Sequence, residues 1–202
     1  MIRQLSNLLV LRRLLTAFVT LTLVIFLGMS APVVLAGNSL PTNDEIINLM
    51  LCYGTGTDAI GDSTRADPLG DGAAIYADCF TDDAVFRAWF PGTDFDDPGQ
   101  AVTINPGGGM TGPENWAGFV FGVFDGTYTF TQHSLSNFIV DVQGDAGTLT
   151  AYLNAAHVTQ AAGVVTAVAV AHGTYTLQVE KNDGAWRVNQ LEIKLINFTP
   201  FF

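Results

Sequence analysis

Between residues 127 and 198 three tight-turn signals divide the sequence into four long segments of strand character. The turns are Gly144-Asp145, Ala162-Gly163 and Asn182-Asp183-Gly184, and the strands between them read as 127–142, 147–159, 164–181 and 185–198. The last turn has a physical cause, because Asp-Gly tolerates the positive φ that a two-residue hairpin requires. Long strands joined in this way form an antiparallel meander, and their alternation gives the sheet one apolar face that something must cover.

The cover has to come from before residue 127. Thr42 or Asn43 can cap a helix with Asp44 and Glu45 in its first turn, where acidic side chains suit the helix dipole. Ile46, Leu49, Met50 and Tyr53 then recur at helical spacing. Gly54 and Gly56 are expected to weaken this helix after Tyr53, with Asp58 near its end. Residues 61–72 (GDSTRADPLGDG) read as a polar loop, followed by a second helix with Ala73, Tyr76, Ala77 and Phe80 on one face. From Ala84 to Phe90 the pattern turns strand-like, with Phe86, Ala88 and Phe90 on one side. After an irregular stretch from Pro91 to Gly112, residues 113–124 (PENWAGFVFGVF) read as a helix with Pro113 at its first position. Trp116, Phe119, Val120, Val123 and Phe124 form its apolar stripe. Helices followed by a meander indicate one α+β domain, without internal repeats.

The first 36 residues hold no acidic residue and three bases, Arg3, Arg12 and Arg13. An apolar run from Leu14 to Leu27 leads to Gly28, Ser30, Pro32 and Val34-Leu35-Ala36. This is the pattern of a secretory signal cleaved after Ala36, so the mature chain is expected in the periplasm or outside the cell. The alternative is a retained anchor, since Leu14 to Ala36 is just long enough to span a bilayer. Without stable membrane insertion after cleavage, residues 37–43 would be a linker and 44–202 the domain.

That mature chain keeps five Lys/Arg against all nineteen Asp/Glu. Such a surface repels phosphate backbones and anionic lipid, which excludes nucleic acid as an expected partner. The acidity also keeps an exported protein soluble. Cys52 and Cys79 allow one disulfide in an oxidising compartment, or two buried free thiols. Neither has a His, Lys or Arg close in sequence to activate it as a nucleophile.

Four local patterns carry a resemblance. They are Ile46 through Tyr53 to Asp58; Phe80-Thr81-Asp82-Asp83-Ala84; Thr131-Gln132-His133 with Asn137 and Gly144-Asp145; and Gly173-Thr174-Tyr175-Thr176 followed by Asp183-Gly184-Ala185-Trp186-Arg187. In this order and spacing the chain resembles the SnoaL-like family of the nuclear-transport-factor-2-like superfamily, in its scytalone dehydratase and dehydrochlorinase branch. The resemblance covers nearly all of 44–202. It implies a cone: a strongly curved antiparallel sheet wrapping N-terminal helices, with a pocket inside. In the enzymes of this family the residues matching Asp58 and His133 face each other across that pocket. A neutral imidazole takes a proton near pH 7, and a carboxylate fixes its tautomer and stabilises the imidazolium. Each residue alone also has a structural reading, Asp58 as a helix terminator and His133 as a hydrogen-bonded strand residue.

Substrate-binding positions are expected at Phe86, Phe90, Phe119, His157 and Tyr175, with Trp116 also in the wall. Ordinary core packing is the competing reading for the aromatic ones. His157 shares a sheet face with Leu153 and Ala155 and is a candidate second acid or hydrogen-bond donor, whereas His172 lies on the face opposite Tyr175. Ala88 falls near the position where a dehydratase would hold water with a tyrosine, which argues against that reaction. The three histidines lack metal-ligand spacing, so no metal and no cofactor are expected. Residues 105–112 (NPGGGMTG) lack the Lys-Ser/Thr of a phosphate loop, and the acidic loops (Asp62, Asp67, Asp71; Asp94, Asp96, Asp97) do not match an EF-hand. No Gly-x-Ser-x-Gly elbow is present.

Two functions remain open. One is a cofactor-independent lyase or isomerase acting on a small, hydrophobic, cyclic molecule. The other is a non-catalytic carrier or oligomeric interaction module. A homodimer through the outer sheet face is expected if Val168, Val170 and Leu191 are exposed there.

Overall fold

The computed structural model describes residues 42–101 and 110–201, with side chains described as far as Phe198. The export segment and residues 37–41 of the expected linker lie outside these. Helix α1 spans Thr42–Ile60 and α2 spans Pro68–Cys79; strand β1 (Phe80–Trp89) follows directly. A 3₁₀ turn at Pro98–Gln100 and a short strand β2 (Met110–Thr111) precede helix α3 (Pro113–Phe124). The meander is β3 (Phe130–Gln143), β4 (Ala146–Ala161), β5 (Val164–Asn182) and β6 (Ala185–Phe201). Among the described residues no helix is long and apolar enough to cross a membrane.

The three turns work as their residues suggest. Ala162 and Gly163, and Asp183 and Gly184, have positive φ at both positions, while Gly144 alone has it in the first hairpin. The six strands form one curved sheet in the order β2-β1-β6-β5-β4-β3. It is mixed rather than wholly antiparallel, because β1 pairs parallel with β6. The cause is topological. The chain leaves β1 through β2 and α3, enters the meander at its far edge, and returns beside β1 in the same direction.

Two helices differ from expectation. α1 continues through Gly54 and Gly56 to Ile60, because those glycines are sites of close approach. A side chain at Gly56 would run into the Tyr76 ring of α2. Just beyond the helix, one at Gly61 would overlap Thr131 of β3. α2 begins within the expected loop: Asp67 is its N-cap, accepting from Gly70 N–H at 2.9 Å, and Pro68 takes the first turn. Phe80, assigned to that helix from its spacing, opens β1 instead.

The helices cover the concave face. Tyr53 and Tyr76 stack at 5.4 Å, Phe80 meets both edge-on, and Phe86 links Phe80 to Trp116 at 4.8 and 5.2 Å. Each such pair adds about 0.5–1.5 kcal/mol beyond the area it buries. Leu191 belongs to this core and is fully buried. A register shift opposite Gln178/Val179 resets the alternation of β6, so the expected outer patch loses it. Val168 and Val170 are half-buried.

Cys52 of α1 and Cys79 of α2 form a disulfide, with Cα atoms 6.4 Å apart. It closes a loop of sequence separation 27, for which the chain-entropy model gives about 3.5 kcal/mol. Replacing both cysteines by alanine is therefore expected to lower the unfolding free energy by roughly 2–4 kcal/mol, read as a reduced midpoint in urea titrations. An unchanged midpoint would show that the bridge adds nothing to helix packing.

Candidate active site

The centre of the site is a carboxylate on a helix meeting an edge strand. Asp58 lies in the last turn of α1 and reaches β3, the outermost strand of the meander. Its Oδ1 lies 2.6 Å from His133 Nδ1 and accepts from Thr131 Oγ1 at 3.1 Å. Its Oδ2 accepts the His133 backbone N–H at 3.1 Å. A carboxylate oxygen only accepts, so in the neutral ring Nδ1 carries the proton and Nε2 keeps a lone pair. The His133 side chain is 4% exposed and that of Asp58 31%. The carboxylate thus sits behind the ring, on the side nearer solvent.

His133 is part of the wall of a cavity of about 160 Å³, which is open to solvent at one end. Of the residues expected there, Phe90 just past β1, Trp116 and Phe119 on α3, His157 on β4 and Tyr175 on β5 line it. Phe86 does not; it is fully buried behind Trp116, against which it stacks, and is core rather than pocket. The space exists because Ala88 and Ala171 stand where larger residues would fill the concave face. Among the described residues no Lys, Arg, Asp or Glu lines it. A void of this size holds about one six-membered ring.

Two neighbouring strands bring the histidines together. His133 pairs with Ala155 and His157 with Thr131, so the rings are diagonal neighbours, with centroids 5.6 Å apart and edge to face. His157 is 3% exposed and its Nδ1 has no hydrogen-bond partner. Burial draws its pKa down to about 4, the charge of His133 adds to that shift, and the Ala169 backbone and Asp58 oppose it. It is therefore neutral at physiological pH. His172 points to the other face and lies 3.3 Å from the Asn197 side chain. Burial likewise raises the hydroxyl pKa values of Tyr53 and Tyr175, so both stay protonated.

Several residues went unassigned on sequence. Thr131 supports Asp58, and Tyr53, Phe124, Tyr128 and Phe198 complete the wall. Thr131 stood within a motif that already pointed to the site, and its position two residues from His133 was the available signal. Tyr128 and Phe198 left none, since the sequence shows only that each lies at the end of a strand segment.

A family model for the SnoaL-like domain matches residues 38–192. The chain belongs to the SnoaL-like family. Solved structures agree on the fold of this SnoaL-like domain. A protein from Kribbella flavida is 19% identical with a TM-score of 0.54, covering 77% of this chain and 90% of its own. The type 3 hexachlorocyclohexane dehydrochlorinase of Novosphingobium barchaimii is 18% identical with a TM-score of 0.54, covering 78% and 88%. A protein of Novosphingobium aromaticivorans, provisionally assigned as a scytalone dehydratase, is 19% identical with a TM-score of 0.51, covering 79% and 87%. At these identities the likeness is one of fold. No curated protein matches the sequence.

The depressed pKa of His157 has a consequence for the stability of this SnoaL-like domain. Between pH 6.5 and about 4 the unfolded chain binds a proton at this residue that the folded protein does not, so stability falls as the pH falls through that window. Chemical denaturation of wild type and His157→Phe at pH 7.5 and 4.5 is expected to show a smaller acid loss in the variant, by about 2 kcal/mol. Equal losses would mean that His157 is protonated without penalty in the fold.

Proposed function

We propose that this SnoaL-like protein is exported and binds a small neutral hydrophobic ring, from which His133 removes a proton as a general base oriented by Asp58. The observation that carries this reading is the 2.6 Å contact between Asp58 Oδ1 and His133 Nδ1 at the wall of an apolar cavity. It leaves Nε2 as the basic atom, in a setting where water is scarce and electrostatic interactions are stronger than in solvent. The lining supports a neutral ligand, since among the described residues no Lys or Arg is there to hold a carboxylate or phosphate. His157, neutral and with a free ring nitrogen beside His133, is suited to hydrogen-bond the group that departs or gains charge. The reaction class is a cofactor-independent elimination or isomerisation; one structural neighbour is named a dehydrochlorinase, and removal of hydrogen chloride is an elimination. Export is supported by the N-terminal sequence pattern and by the Cys52–Cys79 disulfide.

A ring ketone tests the base without knowledge of the natural substrate. Cyclohexanone in D2O exchanges its α-protons when a base abstracts them, and NMR reads the rate. Wild type is expected to accelerate the exchange above buffer, and His133→Ala to lose roughly 10²–10⁴ of that acceleration with an unchanged circular dichroism spectrum. Binding without any acceleration would overturn the general-base assignment and favour a carrier.

A further inference from the structure

Three hydrogen bonds hold the Asp58 carboxylate, and they are not equivalent. Oδ2 accepts the His133 backbone N–H at 3.1 Å, a contact made by the strand whatever the ring does. Oδ1 lies 2.6 Å from His133 Nδ1 and also accepts the Thr131 hydroxyl at 3.1 Å. The terminal torsion of an aspartate is broad, so a carboxylate anchored at one oxygen still turns about its last bond. The Asp58 side chain is 31% exposed, which lets water compete for Oδ1 whenever it turns. The Thr131 hydroxyl is the contact on Oδ1 that does not depend on the imidazole.

Thr131 is built to keep that contact. It stands two residues before His133 on β3, so both side chains leave the same face of the strand. A β-branched residue is stiff at χ1. Its rotamer is further fixed by Gly61, where an added side chain would overlap both the hydroxyl and the methyl group of Thr131. The turn after α1 is tied to the same strand, since the Ser63 backbone N–H and hydroxyl donate to the Thr129 carbonyl at 3.1 and 3.3 Å. The end of the helix, the threonine rotamer and the carboxylate plane are therefore set together. Thr131 is not among the residues lining the cavity, so it acts on a ligand only through Asp58 and His133.

We propose that Thr131 is a positioning residue that fixes Asp58 Oδ1 and thereby sets the His133 tautomer before any ligand enters. This deepens the reading of His133 as the general base and rests on it for its effect on turnover. A neutral imidazole released from its carboxylate shares the proton between its two nitrogens. Each molecule protonated on Nε2 has no lone pair at the atom that takes the substrate proton, and is inactive as a base. A hydrogen bond to a charged acceptor is strong enough to shift such a distribution.

Two variants separate the hydroxyl from the shape of the side chain. Thr131→Val keeps the branched form and removes the donor; Thr131→Ser keeps the donor. Each is compared with wild type by long-range ¹H–¹⁵N NMR of the imidazoles at pH 8 without ligand, and by α-proton exchange of cyclohexanone in D2O over a range of concentrations. Thr131→Val is expected to move the His133 proton towards Nε2 and to lower kcat for exchange roughly tenfold with KM unchanged. Thr131→Ser is expected to restore both to near the wild-type values. A lower urea midpoint in Thr131→Val beside a wild-type tautomer is the mark of a merely structural threonine and overturns the proposal, while leaving His133 as the base. A shifted tautomer in Thr131→Val beside a wild type that does not exchange cyclohexanone supports Thr131 as the holder of the carboxylate and overturns the general-base reading.

Discussion

The arrangement of this protein depends on one carboxylate. Asp58 brings the C-terminal turn of α1 onto the free edge of the sheet, taking a hydrogen bond from the His133 backbone and another from Thr131 while holding the His133 ring. An edge strand carries unpaired N–H groups that need an acceptor or water. Asp58 supplies the acceptor at His133, so the contact that docks the helix also orients the imidazole. Hydrogen bonds to a charged group contribute about 1.5–3 kcal/mol each, enough for this contact to matter to both stability and function. The glycines serve the same approach: Gly61 lets the chain close over Thr131, and Gly56 admits the Tyr76 ring.

What the sheet encloses follows from side chains that are small as much as from those that are large. Ala88 and Ala171 open the concave face between Phe90, Phe119 and Tyr175. The polar side chains left in this wall are few, and Asp58 reaches it only through the His133 ring. A core optimised for stability alone would fill that space.

Much of this was legible in the sequence, for identifiable reasons. The meander was readable because Gly144, Gly163 and Asp183-Gly184 mark hairpins through backbone conformation, which is local. Asp58 and His133 were readable through the motifs around them. The glycines of α1 misled because their role is tertiary: Gly54 and Gly56 look like helix breakers until β3 and α2 are in place. Asp67-Pro68 carried a sound helix start, obscured by the polar, glycine-rich composition around it. The assignment of Phe86 to the pocket failed because alternation along a strand tells which face a side chain takes, not whether another ring, here Trp116, stands in front of it. Leu191 was misplaced because a register shift in β6 interrupts the alternation, and such shifts leave no mark in a single sequence.

Asp58 holds the neutral His133 ring with Nδ1 protonated and Nε2 basic. Long-range ¹H–¹⁵N NMR of the imidazole groups at pH 8 reads this directly, since a protonated and an unprotonated ring nitrogen resonate far apart. The expected result is the Nδ1–H tautomer for His133, with its proton shifted downfield by the carboxylate and returned upfield in Asp58→Asn. A His133 ring protonated on Nε2, or one indifferent to Asp58→Asn, would contradict it.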